Sequence, residues 1–303
     1  MQMRLSPGGI LSNGTKDHVR DALAAVIRAR VVGPGGRERA LELFETPGPR
    51  WFTRDRPIWR VHADPSMFVG GLRALLFQSL HPLAMAGVAL HSDYRSDPWG
   101  RLQRTASFLT ATTYGPADQA EAACRRVRAV HQRVRGVAPD GRPYSANDPE
   151  LLRWVHLAEV DSFLTTYQYY GGNELDAADR DAYVADMAVV ADHLGVPGVP
   201  TTVDELRVQL AEYQSELYAT PDALEAARFL LAPPLPLVAR APYALVGAAA
   251  VATLPWWARL SLGLPLGPLT SRFVARPAGD ALIGLLRWAL TPTSPYADRP
   301  TPA

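Results

Sequence analysis

The apolar positions of this chain recur three and four residues apart far more often than every second residue, the spacing that gives an α-helix one buried face. One such series runs Ala120, Cys124, Val127, His131, Val134, and another runs Leu152, His156, Val160, Phe163. Three Asp-Pro pairs, Asp64-Pro65, Asp97-Pro98 and Asp148-Pro149, mark helix starts. In each, a carboxylate able to accept from the free N–H groups of a first turn precedes a proline whose fixed φ suits the first helical position. Pro82, Pro116, Thr202 and Pro221 open further helices, and the usual helix length predicts about ten in all. Strand signals are nearly absent: the turn candidate APDGRPY, residues 138–144, has flanks that read as too polar for a hairpin. The expected fold is all-α. A single compact multi-helix domain over residues 56–292 follows a helical extension, 1–55, and precedes a disordered, proline-rich tail, 293–303. From Pro233 the domain turns rich in Leu, Ala, Pro and Trp, which predicts a hydrophobic C-terminal helical subdomain.

Composition narrows the function classes. With 303 residues, 48% of them hydrophobic, the chain can bury a large core without metal or disulfide staples. Its 31 basic and 30 acidic residues nearly cancel and no basic run occurs, which removes the footprint of a nucleic-acid binder. Cys124 is alone, so neither a disulfide framework nor a cysteine zinc site is available, and the absence of a leader pattern at Met1 completes the expectation of a cytoplasmic protein. One segment complicates that. Residues Ala241 to Ala258, APYALVGAAAVATLPWWA, are uncharged and just long enough to cross a bilayer, but Pro242 and Pro255 interrupt them and Arg240 and Arg259 fence them. The first expectation is a hairpin buried in the protein or in the contact of a homodimer. A peripheral membrane contact through residues 236–265 is the second, and a true span the third.

Chemistry has few places to sit. His131 and His156 each fall on the apolar face of a helix, where an imidazole needs a partner: a backbone carbonyl or carboxylate on the plain reading, a haem iron on the sharper one. His81 precedes Pro82 at a bend from which it can be aimed into a pocket, and His91 near the end of the same helix suits the negative end of the dipole. Arg101, Arg104 and Thr105, three and four residues apart, share one helix side with the apolar Leu102, Phe108 and Leu109. Guanidiniums there pair with surface carboxylates, or grip a substrate carboxylate or haem propionates. Zinc-protease, di-iron, serine-hydrolase and phosphate-loop motifs are all missing.

The ordered series LHPLAMAGVALHSDYRSDPWGRLQRTASFLTATTYG, VHQRVRG, DGRPYSANDPELLRWVH and APPLPLVARAPY resembles the catalytic domain shared by latex-clearing rubber oxygenases and mycophenolate-pathway oxygenases, over roughly residues 55–290. The resemblance implies an all-helical haem-binding domain that holds haem b through one histidine. The positions that match the family's arginine, lysine and threonine above the haem are Arg101, Arg104 and Thr105, and the matching downstream histidine is His131. Arginine in place of that lysine cannot ligate iron, because it does not give up its proton. The distal position is then open to dioxygen or filled by His81 or His156. The implied function is a haem b-dependent oxygenase that oxidises a small hydrophobic organic substrate with dioxygen or peroxide. Two other readings stay open: a non-catalytic haem protein for electron transfer or gas sensing, and a cofactor-free helical protein that binds lipid or a partner.

Overall fold

The computed structural model describes residues 33–290 apart from 34, 93, 265, 266, 268 and 269. The tail expected over 293–303 therefore lies outside the described residues, as does most of the extension expected over 1–55. Among the described residues the fold is all-α apart from one small hairpin. In chain order the helices are α1 (Gly36–Glu45), α2 (Pro57–Ala63), α3 (Ser66–Gln78), α4 (Pro82–His91), α5 (Pro98–Tyr114), α6 (Ala117–His131), α7 (Pro149–Tyr170), α8 (Ala177–Leu194), α9 (Val203–Glu212), α10 (Pro221–Leu231), α11 (Leu237–Thr253), α12 (Trp256–Ser261) and α13 (Arg276–Leu290).

The predicted caps form. Asp97 accepts from the Gly100 N–H at 2.9 Å and Asp148 from the Glu150 N–H at 2.9 Å, while Asp64 accepts from the Ser66 N–H at 2.8 Å. Thr202 and Thr220 close the first turns of α9 and α10 in the same way. Each of these bonds replaces a helix-end donor's lost partner with a side chain two or three residues away, so a short stretch of sequence is enough to specify it.

Helix α7, 22 residues long, is the axis of the core, and α3 is its main neighbour. Gly70 makes their close approach possible: a Cβ there would lie 2.7 Å from Thr166 Oγ1 and 3.0 Å from Phe163 Cδ1. Around this contact Val69, Leu76, Phe77, Trp154, Leu157 and Val160 are buried together with Ile58 of α2 and Tyr183 of α8. Arg73, itself buried, pins three helices by donating to Ser162 Oγ (2.6 Å), Asp161 Oδ2 (2.7 Å) and the Thr253 carbonyl (3.2 Å).

One expectation changes. Residues 138–144 do form a hairpin, β1 (Arg135–Val137) pairing antiparallel with β2 (Pro143–Ser145). Gly141, at φ 85°, makes the turn, and Asp140 Oδ1 accepts from the Arg142 N–H at 3.0 Å. Its flanks are polar, but Ala138 and Tyr144 are buried against Ala86 and Leu151, so tertiary packing supplies the apolar support that strand alternation lacks. The uncharged run 241–258 is two helices and not one. Leu254, extended at ψ 149° ahead of Pro255, breaks it between α11 and α12. No single helix among the described residues is long and apolar enough to cross a membrane. The inner side of the run packs into the core through Ala249, Ala250, Leu254 and Ala258.

Candidate functional site

Helices α5 and α6 meet at the Gly115-Pro116 corner and pack on each other. Arg101 lies 14 residues before Gly115 and His131 lies 15 after Pro116, so at about 1.5 Å per residue both stand roughly 21 Å from the corner, at the open end of the pair. The end of α4 and the hairpin meet there. Arg101 Nη1 donates to the hydroxyl of Ser92, the residue that ends α4. His91 Nε2 is 3.0 Å from the Tyr144 hydroxyl of β2, and Gly87 of α4 faces both Tyr144 and Val134, just beyond His131.

Each residue singled out from sequence now has a place. His131 is the last residue of α6 and is half-buried. Among the described residues its ring has no hydrogen-bond partner, and burial pushes its pKa down, so near neutral pH it is an uncharged imidazole with a lone pair to offer. Arg101 is half-buried, its pKa lowered first by burial and then by Arg104. Arg104 points outward and donates to Asp97 Oδ2 at 3.2 Å, with 65% of its side chain exposed. The Thr105 hydroxyl donates to the Arg101 carbonyl at 3.1 Å and is exposed.

His81 and His156 are both buried and each has an unpartnered ring nitrogen, Nδ1 of His81 and Nε2 of His156. His81 sits where α3 and α4 bend by 107°, with Nε2 3.8 Å from Glu216 Oε2. Burial lowers its pKa and the Glu216 carboxylate opposes that. His156 has no such compensation, and burial brings it down to about 4.

A polar cluster that the sequence pattern did not expose lies on the same side of α7 as His156. Glu159, one turn further along, is half-buried, and burial pushes its carboxyl up to about 7. The Tyr183 phenol of α8 is raised well above its ordinary value by burial and by Glu159. Its hydroxyl is 3.3 Å from His62 Nε2, and His62 Nδ1 is 2.8 Å from Thr113 Oγ1 of α5. Desolvation drops His62 to about 3. The sequence signal available for Glu159 was its distance of three residues from His156, which puts two titratable groups on one face of a helix otherwise committed to the core.

Two separate sets result: the neutral His131 imidazole and the inward Arg101 at the open end of α5 and α6, and the desolvated His62, Tyr183 and Glu159 beside Thr113, 12 residues or roughly 18 Å along α5 towards the corner. Such surroundings favour uncharged species and strengthen any charge interaction that forms within them. Among the described residues no three His, Cys, Asp or Glu side chains converge as a metal site, so a bare-ion centre has no ligand set here.

Neither a curated protein nor a solved structure matches the chain. A family model does, described as ER-bound oxygenase mpaB/B'/Rubber oxygenase, catalytic domain, over residues 59–288. That stretch holds α3 to α12, the Arg101–His131 end and the inner polar cluster together, and the chain belongs to this family of oxygenase catalytic domains.

Proposed function

We propose that this oxygenase domain binds haem b through His131 and oxidises a small, largely apolar organic molecule with dioxygen or peroxide. The observation that carries the reading is the state of His131: an imidazole on a helix face, kept neutral by burial, with no hydrogen-bond partner among the described residues.

The surrounding residues fit the group. Arg104, exposed at the rim and able to exchange Asp97 for another carboxylate, is suited to a propionate. Arg101, drawn inward at the level of His131, can hold negative charge that develops on oxygen or on the substrate. Leu102, exposed beside Arg101 on the same helix, offers the substrate an apolar surface. Haem, when bound, supplies the redox chemistry that no side chain here can perform. The protein's part is to exclude water and orient the substrate.

A second reading rests on the unpartnered nitrogens of His81 and His156. Either would serve as a second histidine for the haem, making a protein that passes electrons or senses a gas instead of turning over substrate. Absorption spectroscopy separates the two. Protein reconstituted with haem should show an intense band in the near-ultraviolet and blue with a high-spin pattern that His131→Ala abolishes. A low-spin spectrum converted to high-spin by His156→Ala or His81→Ala would favour the second reading, and protein that stays colourless after reconstitution would sink both.

A further inference from the structure

Helices α11, α12 and α13 form one layer at the C-terminal side. Gly279 of α13 lies against α11, where a Cβ would come 3.1 Å from Ala249 Cβ, and Arg259 Nη1 of α12 donates at 3.0 Å to Ser271 Oγ in the turn that leads into α13. The inner side of this layer belongs to the core. Its outer side carries Leu237 and Leu245 of α11, Trp256 and Leu260 of α12, Phe273 and, on α13, Trp288, all exposed. Among the described residues every exposed Trp or Phe side chain of the protein is in this layer, with Trp256 67% and Phe273 65% accessible. Exposed apolar side chains scattered singly are ordinary, but a concentration of the largest ones on one layer is the mark of a docking surface.

Charge selects the occupant. Residues 233–290 contain five arginines (Arg240, Arg259, Arg272, Arg276, Arg287) and one acid, Asp280, a net +4. The whole chain carries +1, so the remaining residues carry −3. Arg287 is matched by Asp64 at 2.9 Å, which still leaves the layer at +3, with Arg240 and Arg276 exposed. A symmetric contact with a second copy would bring this positive layer up against itself. An anionic bilayer offers the complementary charge and accepts Trp, Phe and Leu at its headgroup boundary, where arginines reach the phosphates.

We propose that the outer side of α11, α12 and α13 docks this domain onto the surface of an anionic lipid membrane, lying on it without crossing it. This is independent of the oxygenase chemistry, and its test uses neither haem nor turnover.

The full chain is mixed with vesicles of phosphatidylcholine alone or with about 30% phosphatidylglycerol, and binding is read by co-sedimentation and by tryptophan emission. The expected result is binding to the anionic vesicles only, weakened at least about fivefold by raising salt from roughly 0.1 to 0.5 M. The double variant Trp256→Ser/Phe273→Ser and the double variant Arg240→Gln/Arg276→Gln should each weaken it by about tenfold or more, from lost apolar insertion and lost charge respectively. All four side chains are exposed, and an unchanged thermal transition confirms that the variants fold. Absence of binding to anionic vesicles, or binding that neither double variant alters, overturns the proposal. So does a lipid-free dimer that Trp256→Ser/Phe273→Ser dissociates, which would make this layer a subunit contact.

Discussion

Arg101 and Arg104, three residues apart on α5, lie in opposite environments: Arg101 turns inward to the Ser92 hydroxyl and Arg104 turns outward to Asp97. On one helix side, two identical side chains thus divide between a desolvated position and a solvent-screened one. Arg104→Ala should change stability by less than about 0.5 kcal/mol, since an exposed ion pair contributes little, and should act mainly on haem retention. Arg101→Ala should keep the haem spectrum and lower turnover about tenfold or more, the scale of one charge-assisted contact. Thr105→Val should do less, because that hydroxyl is exposed and bonded to its own helix. Steady-state kinetics beside haem titration decides, and the reverse assignment of the two arginines would show as normal turnover in Arg101→Ala.

Replacing histidines one at a time tests the ligand. His131→Ala should remove most bound haem or change its spin state. His193→Ala should leave the spectrum alone, because that ring is already stacked on Trp51 at 4.1 Å. If His156→Ala empties the site and His131→Ala does not, the ligand is on α7.

The buried carboxyl and imidazole of α7 predict opposite pH signatures. Glu159 has a folded pKa of about 7 against an ordinary 4.5, so between those values the folded state holds a proton the unfolded state has lost. Its effect is to lower stability as pH rises from about 4.5 to 7, by at most about 3 kcal/mol. His156, depressed from 6.5 to about 4, acts the other way, and stability is lost as pH falls through that interval. In urea unfolding at a series of pH values, Glu159→Gln should gain on the wild type from pH 4.5 to 7, and His156→Gln should gain on it from pH 6.5 down to 4. Parallel curves for either variant would place that side chain in water.

Asp64 ties the two ends of the domain together. It accepts from Arg287 Nε at 3.0 Å and Nη2 at 3.1 Å, and from the backbone N–H of Ser66 and of Gly172. Removing it with Asp64→Ala leaves a partly buried guanidinium without its partner and a helix start without its cap, and should cost about 2–4 kcal/mol. Arg287→Leu, which removes the charge but keeps packing volume, should cost less. Chemical denaturation of both variants measures the difference, and equal losses would assign the effect to packing of α13 alone.

Local chemistry made the helices legible in advance. Asp97-Pro98, Asp148-Pro149 and Thr202 close their own first turns within two or three residues, so the sequence by itself determined where α5, α7 and α9 begin, and the ordered motifs from Leu80 to His156, with APPLPLVARAPY after them, pointed to the family. The hairpin escaped that reading because its stability comes from Tyr144 and Ala138 burying against α4, a contact that no window around Asp140-Gly141 contains. The same limit applies at the site. Spacing places Arg101 and Arg104 on one side of a helix, but only the arrival of Ser92 from α4 draws one inward, and only tertiary packing around α7 desolvates Glu159 and His156. Identity and helical register are properties of neighbouring residues along the chain. Desolvation and the presence or absence of a partner are properties of what folds on top of them, so the tertiary structure alone decided which of these side chains carry charge and which have a free nitrogen to offer.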